Sequence, residues 1–458
     1  DESVYSEFSV SASMIEGLAQ QACAALGFNH ISQARLEIEP ATGSSVLLQQ
    51  KLLHALEANR LEALTVVGWE TNERGKPGPR VADLSQALDS RYLMAQAVDL
   101  NLRLMKWRLW PTLDTEKLAS TKCLLLGAGT LGCAVARALL GWGVRDITLV
   151  DNGRVSYSNP ARQCLFEFED CENRAFKATA AAQRLRKIFP GVRSEGVVLS
   201  IPMPGHPMHL NSAEMVQDER GETISEDESQ FRRLDELVRN HDVVFALTDS
   251  REARWLPTAM CATYGKLLIN SALGFDTYLV MRHGQQVDEE ASPVAVTGEI
   301  ASAGVTGSTE NTTVTGTDTH KLGCYFCNDI VAATNSQKDR TLDQQCTVTR
   351  PGLSFIAAAL AVELMVALLH EKGRGKEMSA SDAEREGDKD ASPEIPHQIR
   401  GSVSGFTQFT PHTPAFSCCT ACSPPIVNSF RERGFGFVRD VCIDSSLLER
   451  TSGVTQLM

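Results

Sequence analysis

KCLLLGAGTLGCAVARALLGWGVRDITLVD, running from Lys122 to Asp151, decides the fold. Its apolar run Cys123 to Leu126 reads as a buried strand. Thr130 to Leu140 carries a helical pattern, Gly141 and Gly143 stop it, and Ile147 to Val150 is the next strand. That is a βαβ unit. Gly127, Gly129 and Gly132 sit at the strand-to-helix turn, and Asp151 follows Gly132 by 19 residues, completing a dinucleotide-type fingerprint. The glycines permit a tight turn and a close approach of backbone to phosphate at the helix N-terminus, while the acid takes a ribose hydroxyl. The motif by itself does not separate NAD from ATP.

Outward from this unit the alternation continues, with helices at Ala175 to Phe189 and Glu228 to Arg239. Strands follow near Val197, at Val243 to Leu247, at Leu267 to Ile269 and at Thr277 to Met281. Strands spaced by helices of this length predict an α/β fold with a doubly wound, mostly parallel Rossmann-like sheet. In such sheets the carboxyl ends of the strands form the ligand crevice, so Asp151 and Asp249 are expected in one pocket. Arg162, beyond Asp151, and Lys177, near the start of the next helix, would neutralise phosphate oxygens. Asp249 would hold magnesium through oxygen. This favours ATP over a hydride-transfer cofactor, although each cation taken singly also reads as an ordinary surface charge.

The 458 residues include 44 Lys and Arg against 57 Asp and Glu, a net charge of -13. That field disfavours nucleic acid and anionic membrane surfaces as partners. The apolar run Leu353 to Leu369 contains Glu363 and reads as a buried helix, without direct membrane insertion. The 13 cysteines lie scattered in a chain with no apolar leader, which points to a reducing, cytoplasmic setting. Six segments are expected. Residues 1–118 form a partial leading domain and connector, and 119–284 the nucleotide-binding half. Residues 285–320 form a disordered insert, and 321–371 carry a first cysteine knuckle, the Cys346 loop and a long helix. A disordered linker at 372–396 precedes a second knuckle and C-terminal segment at 397–458.

Cys324-Tyr-Phe-Cys327 and Cys419-Thr-Ala-Cys422 are two C-x-x-C pairs separated by 91 residues. Two such pairs complete a closed tetrahedral structural zinc site, whereas either alone also reads as a redox dithiol. Cys418 makes the register of the second pair ambiguous, and spacing favours Cys419, because it restores x-x. Cys346 stands in TLDQQCTVTRPG, close to Arg350 and to a helix start at Pro351. Both would favour a thiolate, against the alternative of an inert core cysteine.

The GAGTLG loop, the SNPARQ stretch from Ser158 to Gln163, the paired C-x-x-C motifs and DQQCTVTRPG together resemble the ubiquitin-like-protein-activating enzymes. GWGVRDITLVD, IPMPGHP from Ile201, KLGCYFCNDIVA and PHQIRG from Pro396 are similar to the autophagy-specific branch. The resemblance implies a homodimer that adenylates the C-terminal glycine of autophagy ubiquitin-like modifiers and passes them to conjugating enzymes. It implies that Asp151 binds the ATP ribose, that Asn159, Arg162, Gln163 and Lys177 line the phosphates, and that Cys346 is the thioester nucleophile. Arg108, in preference to Arg103, becomes the arginine that crosses to the other subunit's ATP. A sulfur-carrier-protein adenylyltransferase, a non-catalytic scaffold subunit of an activating enzyme and an NAD oxidoreductase are the competing readings.

Overall fold

The computed structural model describes residues 65–71, 77–83, 89–207, 215–217, 223–284, 321–336, 338, 348–370 and 395–457. The expected insert at 285–320, nearly all of the linker, and Cys346 lie outside the described residues. The chain divides into two compact units, 1–109 and 110–458.

In the first unit, strands β1 (Thr65–Thr71) and β2 (Pro77–Asp83) pair antiparallel. Helix α1 (Ser90–Arg108) follows, its N-terminus capped by the Asp89 carboxylate, which accepts from the Arg91 N–H. Asp at this position satisfies an N–H that the helix cannot.

The second unit is organised by an eight-stranded sheet. Its parallel part places β3 (Lys122–Leu126) between β4 (Asp146–Val150) and β8 (Val243–Ala246). Next to β4 lies β5 (Arg193–Val197), and next to β8 lies β9 (Leu267–Leu273). A separate small hairpin joins β6 (Met215–Gln217) to β7 (Thr223–Ser225). The central strands are buried on both faces, so their sequences are continuous apolar runs rather than alternations. From β9 onward the sheet turns antiparallel through β10 (Thr277–Arg282), β11 (Gln398–Ser402) and β12 (Thr407–Phe409). Only Gly274 to Asp276 join β9 to β10, enough for a hairpin and far too short for a parallel crossover.

Helices flank the parallel strands. In the order of the chain they are α2 (Thr115–Ser120), α3 (Thr130–Gly141), the single-turn α4 (Phe168–Glu172) and α5 (Lys177–Ile188). After these come α6 (Glu226–Asn240) and α7 (Arg251–Tyr264). Helix α6 buries Phe231, Leu234, Leu237 and Val238, the spacing of one helical stripe, and Ser225 caps it by accepting from the Glu228 N–H. The apolar run expected as a buried helix is α8 (Leu353–His370), which packs on α3, β9 and β10. Among the described residues it alone is long and apolar enough to cross a membrane, and most of it is buried inside the unit. Trp142 at the end of α3 donates to Glu363 in its middle at 2.9 Å, which gives that carboxylate a partner. Helices α9 (Pro424–Arg433), α10 (Phe435–Ile443) and α11 (Ser446–Ser452) close the far side, where Phe430 and Phe437 join the main core.

Candidate functional site

The β3–α3 turn is built as the glycine pattern requires. Gly127 has a φ of +113°, open to glycine and strained for other residues. A Cβ on Gly132 would lie 2.0 Å from the Gly127 carbonyl oxygen, so only hydrogen fits between turn and helix. Gly129 begins α3, and no side chain caps this end, which leaves first-turn N–H groups facing the adjoining space.

That space is a cavity of about 650 Å³ at the carboxyl ends of β3, β4 and β8, within the usual range for small-molecule sites. Gly127, Gly129, Asp151, Asn159, Arg162, Gln163, Lys177 and Asp249 all line it. Four separate chain segments bring them there.

Asp151 has a second task beyond the one its position suggests. Its Oδ2 accepts from the Ala128 N–H at 2.8 Å and its Oδ1 from the Gly153 N–H at 2.7 Å, so the carboxylate braces the glycine loop. Asn159 is buried, and its Oδ1 accepts from the Ser156 N–H at 3.0 Å, while its carbonyl accepts from Arg162 and Gln163. It therefore shapes the turn that presents Arg162. Gln163 is buried with its Oε1 unpartnered against the cavity, a polar atom of the kind a bound ligand satisfies. Lys177 begins α5, and its N–H donates to the Gly153 carbonyl at 2.9 Å. Asp249 is exposed at the end of β8, immediately before Ser250 caps α7 by accepting from the Ala253 N–H.

Residues that sequence reasoning did not single out also line the cavity. Thr248 carries a buried, unpartnered Oγ1, and Thr349, three positions after Cys346, carries another. Arg254 is buried and holds the turn before α7: its Nε donates to the Thr248 carbonyl at 3.1 Å and its Nη1 to Asn270 Oδ1 at 2.9 Å. Burial lowers the guanidinium's affinity for its proton, and that lies far above neutrality in any case. The Ile201 to Pro207 stretch contributes Met203 and His206 to the wall. Its motif was visible in the sequence, but its place was not.

Cys324, Cys327, Cys419 and Cys422 form a second centre, with all four sulfurs within 4.8 Å of one another. The Sγ separations are 3.5 Å for Cys324–Cys419 and for Cys327–Cys422, and 3.8 Å for Cys324–Cys327. A tetrahedron with metal–sulfur bonds of ~2.3 Å has sulfur–sulfur edges of ~3.8 Å, so the donor set fits zinc. The Phe326 N–H donates to Cys324 Sγ at 3.3 Å and the Ala421 N–H to Cys419 Sγ at 3.4 Å. Such N–H···S contacts disperse thiolate charge. Cys418 lies outside the cluster, with Ser417 as its neighbour, so the fold selects Cys419. Two buried imidazoles support the knuckle: His283 accepts from the Tyr325 N–H at 3.3 Å, and His397 Nε2 bonds the Gly323 carbonyl at 2.9 Å. Burial holds both neutral, His283 down to about 3 and His397 to about 4.

Arg108 is not among the residues lining the cavity. It ends α1 in the first unit, exposed, with its guanidinium 5.7 Å from the ring centroid of Trp107.

A family model described as the ThiF family matches residues 101–385. The ubiquitin-like modifier-activating enzyme ATG7 of Gallus gallus is 51% identical over 396 residues, covering 85% of this chain and 54% of that protein. Its namesake from Homo sapiens is 50% identical over 396 residues, covering 85% and 55%. That from Dictyostelium discoideum is 45% identical over 396 residues, covering 85% and 52%. The chain thus spans about half the length of the curated relatives it matches.

Proposed function

We propose, because the chain belongs to the ThiF family, that its glycine-loop cavity binds ATP and adenylates the C-terminal glycine of autophagy ubiquitin-like modifiers. One observation carries the proposal: Asp151, Arg162, Lys177 and Asp249 line a single cavity with the Gly127–Gly132 loop, two acids and two cations around an open helix N-terminus. That set suits a triphosphate with its metal and has no evident use in hydride transfer. The identity to modifier-activating relatives supports a protein tail as the acyl donor.

In this reading a carboxylate oxygen of the modifier bonds to the α-phosphorus as the bond to the pyrophosphate oxygen breaks. Arg162 and Lys177 offset the negative charge that builds on the phosphates, and Asn159 holds Arg162 in place. Magnesium, when held by Asp249, neutralises phosphate charge. The Cys346 thiolate then bonds to the acyl carbon, and AMP departs with the electron pair of the acyl–oxygen bond. The thioester keeps the acyl group reactive for transfer to a conjugating enzyme. Cys324, Cys327, Cys419 and Cys422 would hold zinc as a structural brace, closed to substrate. Assembly as a homodimer would let Arg108 reach the partner's ATP. The cytoplasm suits the free thiols this chemistry needs.

Exchange of labelled pyrophosphate into ATP, stimulated by an autophagy-type modifier, tests the first step. A thiol-sensitive modifier adduct on a non-reducing gel tests the second. Cys346→Ser is expected to retain exchange and to lose the thiol-sensitive adduct. Exchange absent from both proteins, with no binding of ATP, would refute the adenylation reading.

A further inference from the structure

We propose that Glu252 and Arg251, in the first turn of α7, clamp the segment Asp329–Ser336 to the cavity wall, and that Glu252 is a positioning residue for the thioester step. The inference rests on the proposed function for its catalytic consequence, and on geometry alone for the clamp.

Glu252 is 1% exposed, an unusual setting for a carboxylate unless it is held. Its Oε1 accepts from both the backbone N–H of Ser336, at 3.2 Å, and the Ser336 hydroxyl, at 2.7 Å. His206 Nε2 stands 3.5 Å from the same oxygen. One residue earlier, Arg251 Nη2 donates to Asp329 Oδ2 at 2.8 Å. Adjacent residues of opposite charge thus grip the two ends of one segment. Its middle is fixed from α11, where Glu449 Oε1 accepts from the Ala332 N–H at 3.0 Å. The wall behind it is tight as well, since a Cβ on Gly205, whose φ is +73°, would come within 2.9 Å of the Asn335 nitrogen.

The segment's place in the chain gives the clamp its meaning. Asp329 follows the knuckle cysteine Cys327 by two residues, and Ser336 precedes Cys346 by ten. On the far side of Cys346, Thr349 lines the cavity, and the Arg350 N–H donates to the Phe275 carbonyl at 2.9 Å. The described residues on either side of Cys346 are therefore fastened, Ser336 to the helix turn that begins two residues after Asp249 and Arg350 to Phe275. Glu252 itself lines the cavity, whereas Ser336 does not, so the Ser336 end of the clamp separates the two steps: attack on the acyl-adenylate needs Cys346 at a defined distance.

Amide hydrogen exchange across residues 329–338 and the two half-reactions, run on the whole 458-residue chain, test the clamp. Ser336→Ala removes one hydrogen bond from an exposed residue and is expected to leave pyrophosphate exchange within about twofold. It should slow single-turnover adduct formation by about three- to tenfold, the worth of one such bond. Glu252→Ala should abolish protection of the Ser336 amide and slow the adduct step at least as much. The double variant should be no slower than Glu252→Ala alone, and Glu252→Gln should restore part of the loss, because its amide oxygen still accepts. Unchanged Ser336 protection in a folded Glu252→Ala would overturn the clamp; equal loss of both half-reactions with normal protection elsewhere would overturn its positioning role. Failure of the unsubstituted chain to exchange pyrophosphate counts against the proposed function instead, and the amide measurement still decides the clamp.

Discussion

Gly132→Ala is expected to destabilise the second unit by about 3 kcal/mol and to lower its melting temperature by about 5–10 °C, while Gly129→Ala leaves melting unchanged and weakens ATP binding. The two glycines are three residues apart in one loop, and the contrast comes from what each would meet. A Cβ at 132 lands 2.0 Å from the Gly127 carbonyl oxygen, a backbone atom that cannot rotate away. Either α3 lifts from the turn or the turn unwinds. Gly127 has little freedom to yield, with its own Cβ position 3.1 Å from the Leu247 carbonyl. A Cβ at 129 meets nothing within 4 Å. Its added methyl occupies cavity space at the α3 N-terminus, where a phosphate would approach the backbone. Calorimetry and nucleotide titration on both variants check the pair. Equal destabilisation would mean the helix seats against the strand end differently.

This loop was the most legible part of the chain, and the reason is physical. A turn with positive φ and a backbone contact closer than van der Waals distance admits one residue type, so its requirement is written directly as glycine. The parallel half of the sheet was legible for a similar reason: strands buried on both faces must be apolar throughout, and the helices between them show their 3.6-residue stripe. In the antiparallel half β10 was legible, and β11 and β12 were not. β11 reads QIRGS and β12 reads TQF, with no apolar run; β11 is held by β10, more than a hundred residues earlier, and β12 only by its neighbour β11. The sign that the sheet reverses after β9 was the short β9–β10 connection, which leaves no room for a crossover helix.

The site divides in the same way. Asp151, Lys177 and Asp249 stand at or just beyond the ends of elements, where topology directs them to one crevice, and Arg162 is brought there by the turn that Asn159 shapes. The burial of Glu252 and Arg254 had no local sign. TDSREARW reads as a capped, charged helix start, and its burial comes from Asn270, Tyr325 and Ser336, each supplied by another part of the chain. Between Cys418 and Cys419 the C-x-x-C spacing favoured Cys419, and it is the Cys419 sulfur that the fold brings to Cys324.

Cys419→Ser is expected to have the largest effect on stability, releasing about one equivalent of zinc per chain and lowering the melting temperature by about 10 °C or more. Structural zinc contributes about 10–16 kcal/mol of apparent binding free energy in small domains, and three thiols cannot close the tetrahedron. The loss should not remain local. Cys324, Cys327 and Cys419 belong to the core that contains Trp255, Phe326 and Phe437. Trp255 Nε1 donates to the carbonyl of Thr420, between the two cysteines of the second pair, at 2.9 Å. On the other side, the Arg254 guanidinium lies 5.2 Å from the ring centroid of Tyr325, between the cysteines of the first pair, and its Nε binds the Thr248 carbonyl on the cavity wall. One route from the knuckle to the cavity therefore runs through a buried arginine. Nucleotide affinity is expected to fall along with metal content, and tryptophan fluorescence should change as the Trp255 hydrogen bond loosens. Cys418→Ser provides the control, with metal content, melting and nucleotide affinity all retained. Zinc content preserved in Cys419→Ser and lost in Cys418→Ser would show that the metal uses the other register. Metal lost with affinity unchanged would show that Arg254 holds the wall without help from the knuckle.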